Sequence, residues 1–194
     1  MPYTPSTASS VINNHFGLAY VNRMNVFNSA VADLLNKMTA QGTTEDQFVY
    51  NLAFIPSITY GLDLCRSSYN EYKFSFLSKA LCNSVLGPFS LGVIQLHWQN
   101  FTNLSSLHLQ LLLLFNDVEA GLTSLNRTIL NPESYSAILE AAYPELSGQG
   151  IYYNQAWNDL FLRKFVTVEN LAGIGENSVT TDYGKAFVDF ISSE

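Results

Sequence analysis

The sequence predicts a mainly α-helical protein in two parts. An antiparallel helical bundle is expected over residues 13–100 and an α+β domain of winged-helix type, with a small β-hairpin, over residues 104–194, after a flexible N-terminus at residues 1–12. Apolar residues recur at steps of three and four through the first part, and the second part follows the order helix, helix, helix, hairpin, helix. With 194 residues, 47% of them hydrophobic, the chain has ample material for these cores.

The first predicted helix covers residues 14–38 and ends at Gln41-Gly42. The pattern Thr-Glu-Asp-Gln at residues 44–47 resembles a capping box and starts a short second helix that stops before Pro56. One apolar stripe along the first helix is expected to face the core. Its members are Phe16, Tyr20, Met24, Phe27, Val31, Leu34 and Met38.

A long third helix is predicted over residues 56–86, because Pro56 suits a helix start and Gly87-Pro88 breaks the pattern. A fourth helix is expected to end at residues 95–98. Short turns between these helices indicate an antiparallel bundle. The inward stripe of the third helix is Ile58, Leu62, Cys65, Tyr69, Tyr72 and Phe76.

In the second part, Ser105 or Ser106 is predicted to cap a helix that ends near Gly121. The sequence Asn-Pro-Glu at residues 131–133 indicates the start of a second helix that reaches Tyr143. A third helix follows the glycines at 148 and 150. Its inward residues are expected to be Tyr153, Ala156, Trp157 and Leu160.

Strand chemistry follows this third helix. Residues 165–168 are predicted as one strand, residues 172–177 as a turn, and residues 178–180 as the return strand of a hairpin. Thr181-Asp182 then caps a last helix, with Phe187, Phe190 and Ile191 facing inward. This order of elements is typical of a winged helix.

Two stretches resemble a known family. The tail VTTDYGKAFVDFI at residues 179–191 resembles the T-x-x-G-x-x-F ending of many bacterial winged-helix domains. Ile55-Pro56 and the segment YKFSFL at residues 72–77 resemble the helical half of small bacterial proteins that end in such a domain. The family it resembles is Abi-alpha, the abortive-infection-related proteins, and this resemblance implies a link to phage defence. The chain departs from the family in its sparse charge.

Charge is distributed unevenly between the two parts. Residues 1–100 hold five acids and five bases, whereas residues 101–194 hold eleven acids and four bases, so the net charge of −7 falls on the second part. DNA binding requires a basic face, and unaided DNA binding is therefore disfavoured. A DNA-binding transcriptional regulator stays as the alternative. Its candidate nucleic-acid contacts on the third helix are Asn154, Gln155, Asn158, Arg163 and Lys164.

The spacings of common catalytic and phosphate-binding motifs do not occur, so no catalytic, cofactor-binding or metal-binding residue is predicted. His97 and His108 could meet Asp117 to bind a metal, but buried or capping histidines are the favoured interpretation. An enzyme whose site assembles from distant residues is a second alternative. A cleft that holds either histidine beside a carboxylate would support it.

Lys, Arg, Asp and Glu do not occur in residues 80–116, but polar residues interrupt this run too often for a membrane span. Buried core is favoured, and contact with a partner or a membrane surface stays open. The first residues lack a secretory signal pattern, and Cys65 and Cys82 suit buried thiols in a reducing compartment. The sequence thus favours a cytoplasmic, non-enzymatic module that binds a protein partner or forms homo-oligomers.

Overall fold

The structure, a computed structural model, describes residues 5–68, 70–129, 133–173 and 178–193, with side chains from Gly17 onward. The chain divides into two compact units, one reaching Thr102 and the other covering residues 103–193. The described residues are mainly helical, as predicted. The helices are α1 (Pro5–Ala40), a 3₁₀ helix (Glu45–Tyr50), α2 (Phe54–Ser67), α3 (Glu71–Phe74), α4 (Leu77–Leu86), α5 (Leu91–Asn103), α6 (Ser106–Asn116), α7 (Val118–Ser124), α8 (Tyr135–Ala142), a 3₁₀ helix (Pro144–Leu146), α9 (Gly150–Leu162) and α10 (Asp182–Ser192).

The core of the first unit lies mainly between α1, α2 and α4, with α1 packed chiefly on α4. The predicted stripe of α1 is confirmed in its second half, where Phe27, Leu34 and Met38 are buried. It is wrong at Tyr20, which is exposed. Other buried residues of this core include Leu64, Cys65, Leu77, Leu81 and Trp98.

The predicted continuous helix over residues 56–86 is wrong, because the chain leaves the helical path after Ser67. The Ser68 hydroxyl oxygen accepts the backbone N–H of Asn70 at 3.2 Å, and the Asn70 side-chain oxygen accepts the N–H of Tyr72 at 3.1 Å. Such local bonds compete with helical hydrogen bonding. As a result, α3 is a separate short helix between α2 and α4.

Helix α5 extends beyond its predicted end at Trp98, which is buried. The indole N–H of Trp98 donates to the Ser84 hydroxyl at 2.9 Å, and that hydroxyl donates to the Ala80 carbonyl at 2.6 Å. This chain of bonds satisfies the polar atoms that the apolar packing buries. Most large apolar residues of the charge-free run are buried; those that are exposed include Leu91, Val93 and Leu96.

In the second unit, α6 packs against α7, α9 and α10. Ser105 caps α6 and Thr181 caps α10, as predicted. The first helix is shorter than predicted, since Asp117 ends α6 and caps α7. Ser134 caps α8, while the predicted cap at Asn131 lies outside the described residues. The inward residues predicted for α9 and α10 are confirmed as buried: Tyr153, Ala156, Trp157, Leu160, Phe187, Phe190 and Ile191.

The predicted α+β winged-helix domain with a β-hairpin is wrong. The described part of the chain contains no strand, and its β pairing is a single antiparallel bridge between Val166 and Thr180. Two hydrogen bonds flank the bridge, from the Thr167 N–H to the Val179 carbonyl and from the Thr181 N–H to the Phe165 carbonyl. The predicted turn residues 174–177 lie outside the described residues.

The pairing does not extend because helices take the neighbouring backbone groups. The Val179 N–H donates to the Phe115 carbonyl in α6 at 3.0 Å. The Phe165 N–H, which a longer ladder would pair with the Thr181 carbonyl, donates to the Leu160 carbonyl in α9 at 2.9 Å. A group that is already bonded to a helix is not free to extend a β ladder. Residues 165–168 have strand-like composition but form a linker in which Phe165 and Val166 are buried.

No helix in the described ranges combines the length and the apolar character needed to cross a membrane.

Gly184 is the point at which α10 comes closest to the segment after α9. A Cβ at Gly184 would overlap the backbone carbonyl of Phe165. We expect Gly184→Ala to lower the free energy of unfolding of the second unit by about 1–3 kcal/mol, because backbone must move to make room. Urea denaturation followed by circular dichroism measures the change.

The matched control is Gly150→Ala in α9, where the nearest atom to an added Cβ is the Tyr153 hydroxyl at 3.5 Å. This ordinary contact should leave the stability within about 0.5 kcal/mol of the parent. Equal stability of both variants would contradict the close approach of α10 to Phe165.

Candidate functional site

A groove of about 670 Å³ runs along the N-terminal half of α1 in the first unit. Its two walls are α1 and the short helix α3, which exists as a separate wall because Asn70 caps it after the break. Five of its lining residues come from one face of α1, and three come from α3 and the residue after it. They are Leu18, Ala19, Asn22, Arg23 and Val26, with Glu71, Phe74 and Ser75.

A second hollow of about 370 Å³ continues in the direction of the core. Val26 and Phe74 line both hollows, so the two form one trough beside α1. From Leu18 to Ala30 the trough follows about 18 Å of helix at 1.5 Å per residue. An amphipathic helix of three turns has this length. We call this trough the α1 groove.

The α1 groove has an apolar rim that this unit does not cover. Leu18 is 63% exposed and Val21 52%, and Val26 is also exposed. Leu18 and Val26, which both line the groove, lie eight residues or about two helical turns apart, and the first buried position described on α1 is Arg23. Contiguous apolar surface of this kind on a folded unit is typical of a contact site.

Arg23 gives the α1 groove a fixed positive charge. Its side chain is only 8% exposed, and its Nη1 donates to the Ser68 carbonyl at 3.5 Å. Glu71 is exposed in the same lining. A groove that holds a buried cation and an exposed carboxylate favours a partner with both charge signs.

Cys65 and Cys82 are free and buried, as predicted. Burial raises the pKa of the Cys65 thiol to about 11, against the opposing charge of Arg23. Burial also raises the pKa of Cys82. Both groups are therefore neutral thiols at physiological pH, which is the state of inert core cysteines.

Asp33 links α1 to α4 beyond the groove. The Ser78 hydroxyl donates to its carboxylate at 2.5 Å, and Lys37 lies 3.5 Å away. The hydrogen bond from Ser78 is the main cause that lowers the pKa of Asp33. A carboxylate that stays ionised through such contacts orients α1 on α4 and does not carry protons near neutral pH.

The residues predicted to contact nucleic acid are all exposed, but they do not share one surface. Asn154 and Asn158 line a groove of about 460 Å³ that also contains Glu169. Gln155 lines a different pocket with His108 and Asp159.

The two cations of the predicted nucleic-acid set are engaged locally. The Arg163 Nε donates to Asp159 at 3.1 Å, and the Lys164 Nζ lies 5.2 Å from the Phe161 ring centroid. Neither Arg163 nor Lys164 lines the groove that contains Asn154 and Asn158. The DNA-binding interpretation gains no support from this arrangement.

The histidines considered for a metal have other roles. His97 is buried with its ring edge-on to Phe89 at 5.4 Å, and burial lowers its pKa to about 4. His108 belongs to the cap of α6, and Asp117 caps α7 by accepting the Ala120 N–H at 3.0 Å. Within the residues that the structure describes, no three His, Cys, Asp or Glu side chains could hold a metal together.

Comparison with known proteins gives no family for this chain: no family model, no curated protein sequence and no solved structure matches it. The candidate site therefore depends on the geometry alone.

Sequence reasoning missed the α1 groove. The predicted core stripe ran through Tyr20 and Met24, so the prediction assigned the wrong face of the N-terminal half of α1 to the core. A usable signal was present, since the apolar residues Leu18, Val21 and Val26 lie off that stripe. An apolar set beside the predicted core stripe indicates a second contact face on one helix.

The burial of His97 predicts a pH dependence of stability for the first unit. In the unfolded state the histidine has its usual pKa of 6.5, whereas in the folded state burial lowers its pKa to about 4. Between these values the unfolded state binds more protons, so stability falls as the pH falls, by about 3 kcal/mol at most. Urea denaturation at pH values from 7 to 4 measures this loss.

His97→Gln is the comparison variant because glutamine is of similar size and does not titrate. Carboxylates elsewhere affect both proteins alike, so the difference between the two pH profiles isolates His97. The variant should lose less stability between pH 6.5 and pH 4. Parallel profiles would contradict a neutral, buried His97.

Proposed function

We propose that this chain is a protein-interaction module that forms a homodimer by packing the N-terminal halves of two α1 helices in the α1 grooves. The observation that supports this is the exposed apolar rim of a trough of about 670 Å³. Grooves of this type bind amphipathic helices through apolar residues one or two turns apart.

A second copy is the partner that the groove fits best. Helix α1 forms one wall of the groove and itself carries Leu18 and Val21 on its exposed surface. Each copy thus offers both a groove and a helix, which is the requirement for a self-complementary two-fold contact.

The energy of covering this rim is sufficient for a specific contact. Full burial of one Leu or Val side chain contributes about 1.5–3 kcal/mol. An isolated helix segment of this length is marginally stable in water, so packing against a second copy also stabilises α1. We place the module in the cytoplasm, where its two buried thiols stay reduced.

Light scattering after size-exclusion chromatography tests the proposal. The full chain at tens of micromolar should elute as a dimer. Leu18→Glu and Val26→Glu should each raise the dissociation constant about tenfold to a hundredfold, because each places a charge on the apolar rim. Circular dichroism checks that the variants stay folded.

Ile151→Glu is the matched control, since Ile151 also lies in a helix, α9 of the second unit, and is 85% exposed. This variant should dimerise as the parent does. A parent protein that stays monomeric, or a dimer that Leu18→Glu and Val26→Glu leave intact, would overturn the homodimer. Duplex DNA added at low salt in the same experiment tests the regulator alternative, which predicts a salt-sensitive complex.

A further inference from the structure

Three side chains of the second unit are arranged as in a nucleophilic serine site. The Ser105 Oγ lies 2.6 Å from the His108 Nδ1. The His108 Nε2 lies 3.2 Å from the Asp159 Oδ2. A hydroxyl beside an imidazole, with a carboxylate on the far side of the ring, is the arrangement that activates a serine for attack.

The hydrogen bonds around the ring determine where its proton sits. The backbone N–H of Ser105 donates to the Nδ1 of His108 at 3.2 Å, so Nδ1 is an acceptor. The proton of the neutral ring is therefore on Nε2. The contact of Nε2 with Asp159 at 3.2 Å is electrostatic, because it does not have the alignment of a hydrogen bond. The Ser105 hydroxyl, 2.6 Å from the same Nδ1, is placed to give its proton to the ring.

Asp159 is held in position from its other side. The Arg163 Nε donates to the same carboxylate oxygen at 3.1 Å, one helical turn further along α9. The carboxylate beside His108 is thus held on a helix, opposite the ring. In this arrangement Asp159 is a positioning residue.

A pocket of about 280 Å³ adjoins these groups. Ser105 is exposed at this pocket. Leu107 and Ala156 make part of its wall apolar, and Tyr152 and Gln155 add neutral polar atoms. Asp159 is the one acidic residue among the described lining residues, and the volume together with the apolar and neutral residues beside it suits a short acyl group without formal charge.

The N-terminal turn of α6 supplies donors for a developing oxyanion. The first N–H groups of a helix have no acceptor inside the helix, and the N–H of Ser106 directly follows the serine. Backbone donors next to a nucleophile stabilise the negative oxygen of a tetrahedral intermediate. The helix dipole acts in the same direction.

The same residues also form a capping box. The Ser105 hydroxyl oxygen accepts the backbone N–H of His108 at 3.4 Å. This long bond leaves a lone pair on Oγ for attack. A capping box uses only the cap residue and the third residue of the helix, so capping does not require Asp159 across from the ring.

From this geometry we infer that Ser105, His108 and Asp159 hydrolyse short, uncharged carboxylic esters. The Oγ of Ser105 bonds to the carbonyl carbon while its proton passes to the Nδ1 of His108. The bond from that carbon to the leaving oxygen breaks, and the leaving alcohol takes the proton from His108. Water then attacks the acyl-serine through the same base, which releases the carboxylic acid and restores Ser105.

A fluorophosphonate ester tests the nucleophile on the full chain. Mass spectrometry of the intact protein and of its peptides should find one adduct, located on Ser105, and p-nitrophenyl acetate should compete with labelling. No adduct, or an adduct elsewhere, on the folded parent protein overturns the inference.

Two variants separate chemistry from capping. Ser105→Asp keeps a good cap acceptor but has no nucleophile, and His108→Gln keeps the capping-box partner but has no base. Labelling should vanish in the first and fall at least tenfold in the second, while Ser124→Ala, at an exposed serine outside this pocket, labels as the parent does. A His108→Gln protein that is labelled at the parental rate overturns the inference. This test does not depend on whether Ser105→Asp folds.

Asp159 requires a rescue experiment because it acts through His108. Asp159→Ala should slow labelling at least tenfold, and Asp159→Glu should recover part of the rate because it restores a carboxylate. An Asp159→Ala protein that is labelled at the parental rate, or variants in which the labelling rate changes only in step with thermal stability, would assign Asp159 to structure alone and overturn its positioning role. These outcomes are independent of the α1 groove, which lies in the other unit.

Discussion

The packing of α1 on α4 is the contact on which the first unit depends. Leu34 and Met38 are fully or almost fully buried on α1, as are Leu77 and Leu81 on α4. The hydrogen bond from Ser78 to Asp33 fixes the register of the two helices at the edge of this contact. Removal of any of these large side chains would leave a cavity and destabilise the unit by about 2–5 kcal/mol.

The same packing explains why α1 has a second face. The core occupies the C-terminal half of a 36-residue helix, and the N-terminal half continues past it with Leu18 and Val21 exposed. The break at Asn70 then places α3 beside this half as an opposing wall. A groove, an apolar rim and a buried cation at Arg23 follow from these two features.

Helical periodicity made most of the helices predictable. The inward faces of α9 and α10 and the caps at Ser105 and Thr181 were correct, because local patterns determine them. The break at residues 68–70 was missed because side-chain bonds of Ser68 and Asn70 override a stripe that continues through it.

The hairpin was predicted wrongly for a tertiary reason. Residues 165–168 have strand composition, but the Phe115 and Leu160 carbonyls accept the Val179 and Phe165 N–H groups that a longer ladder would need. A local sequence pattern cannot predict the hydrogen bond from Val179 to Phe115, since these two residues are distant in sequence.

The two candidate sites, the Ser105 site and the α1 groove, could likewise be predicted from the sequence only in part. Ser105 and His108 are one helical turn apart and stand out in the sequence as a cap. Asp159 joins them only through the packing of α9 on α6, so the arrangement could not be predicted from spacing. The α1 groove also required the structure, because its second wall is created by the break before α3.

Hydrogen–deuterium exchange as a function of protein concentration tests the central claim, that α1 is an interaction helix, most directly. If two copies cover the α1 groove, amides of residues 17–26 will exchange more slowly as the concentration rises, while those of the buried half near Leu34 will not change. Exchange at residues 17–26 that is the same at every concentration would contradict the account.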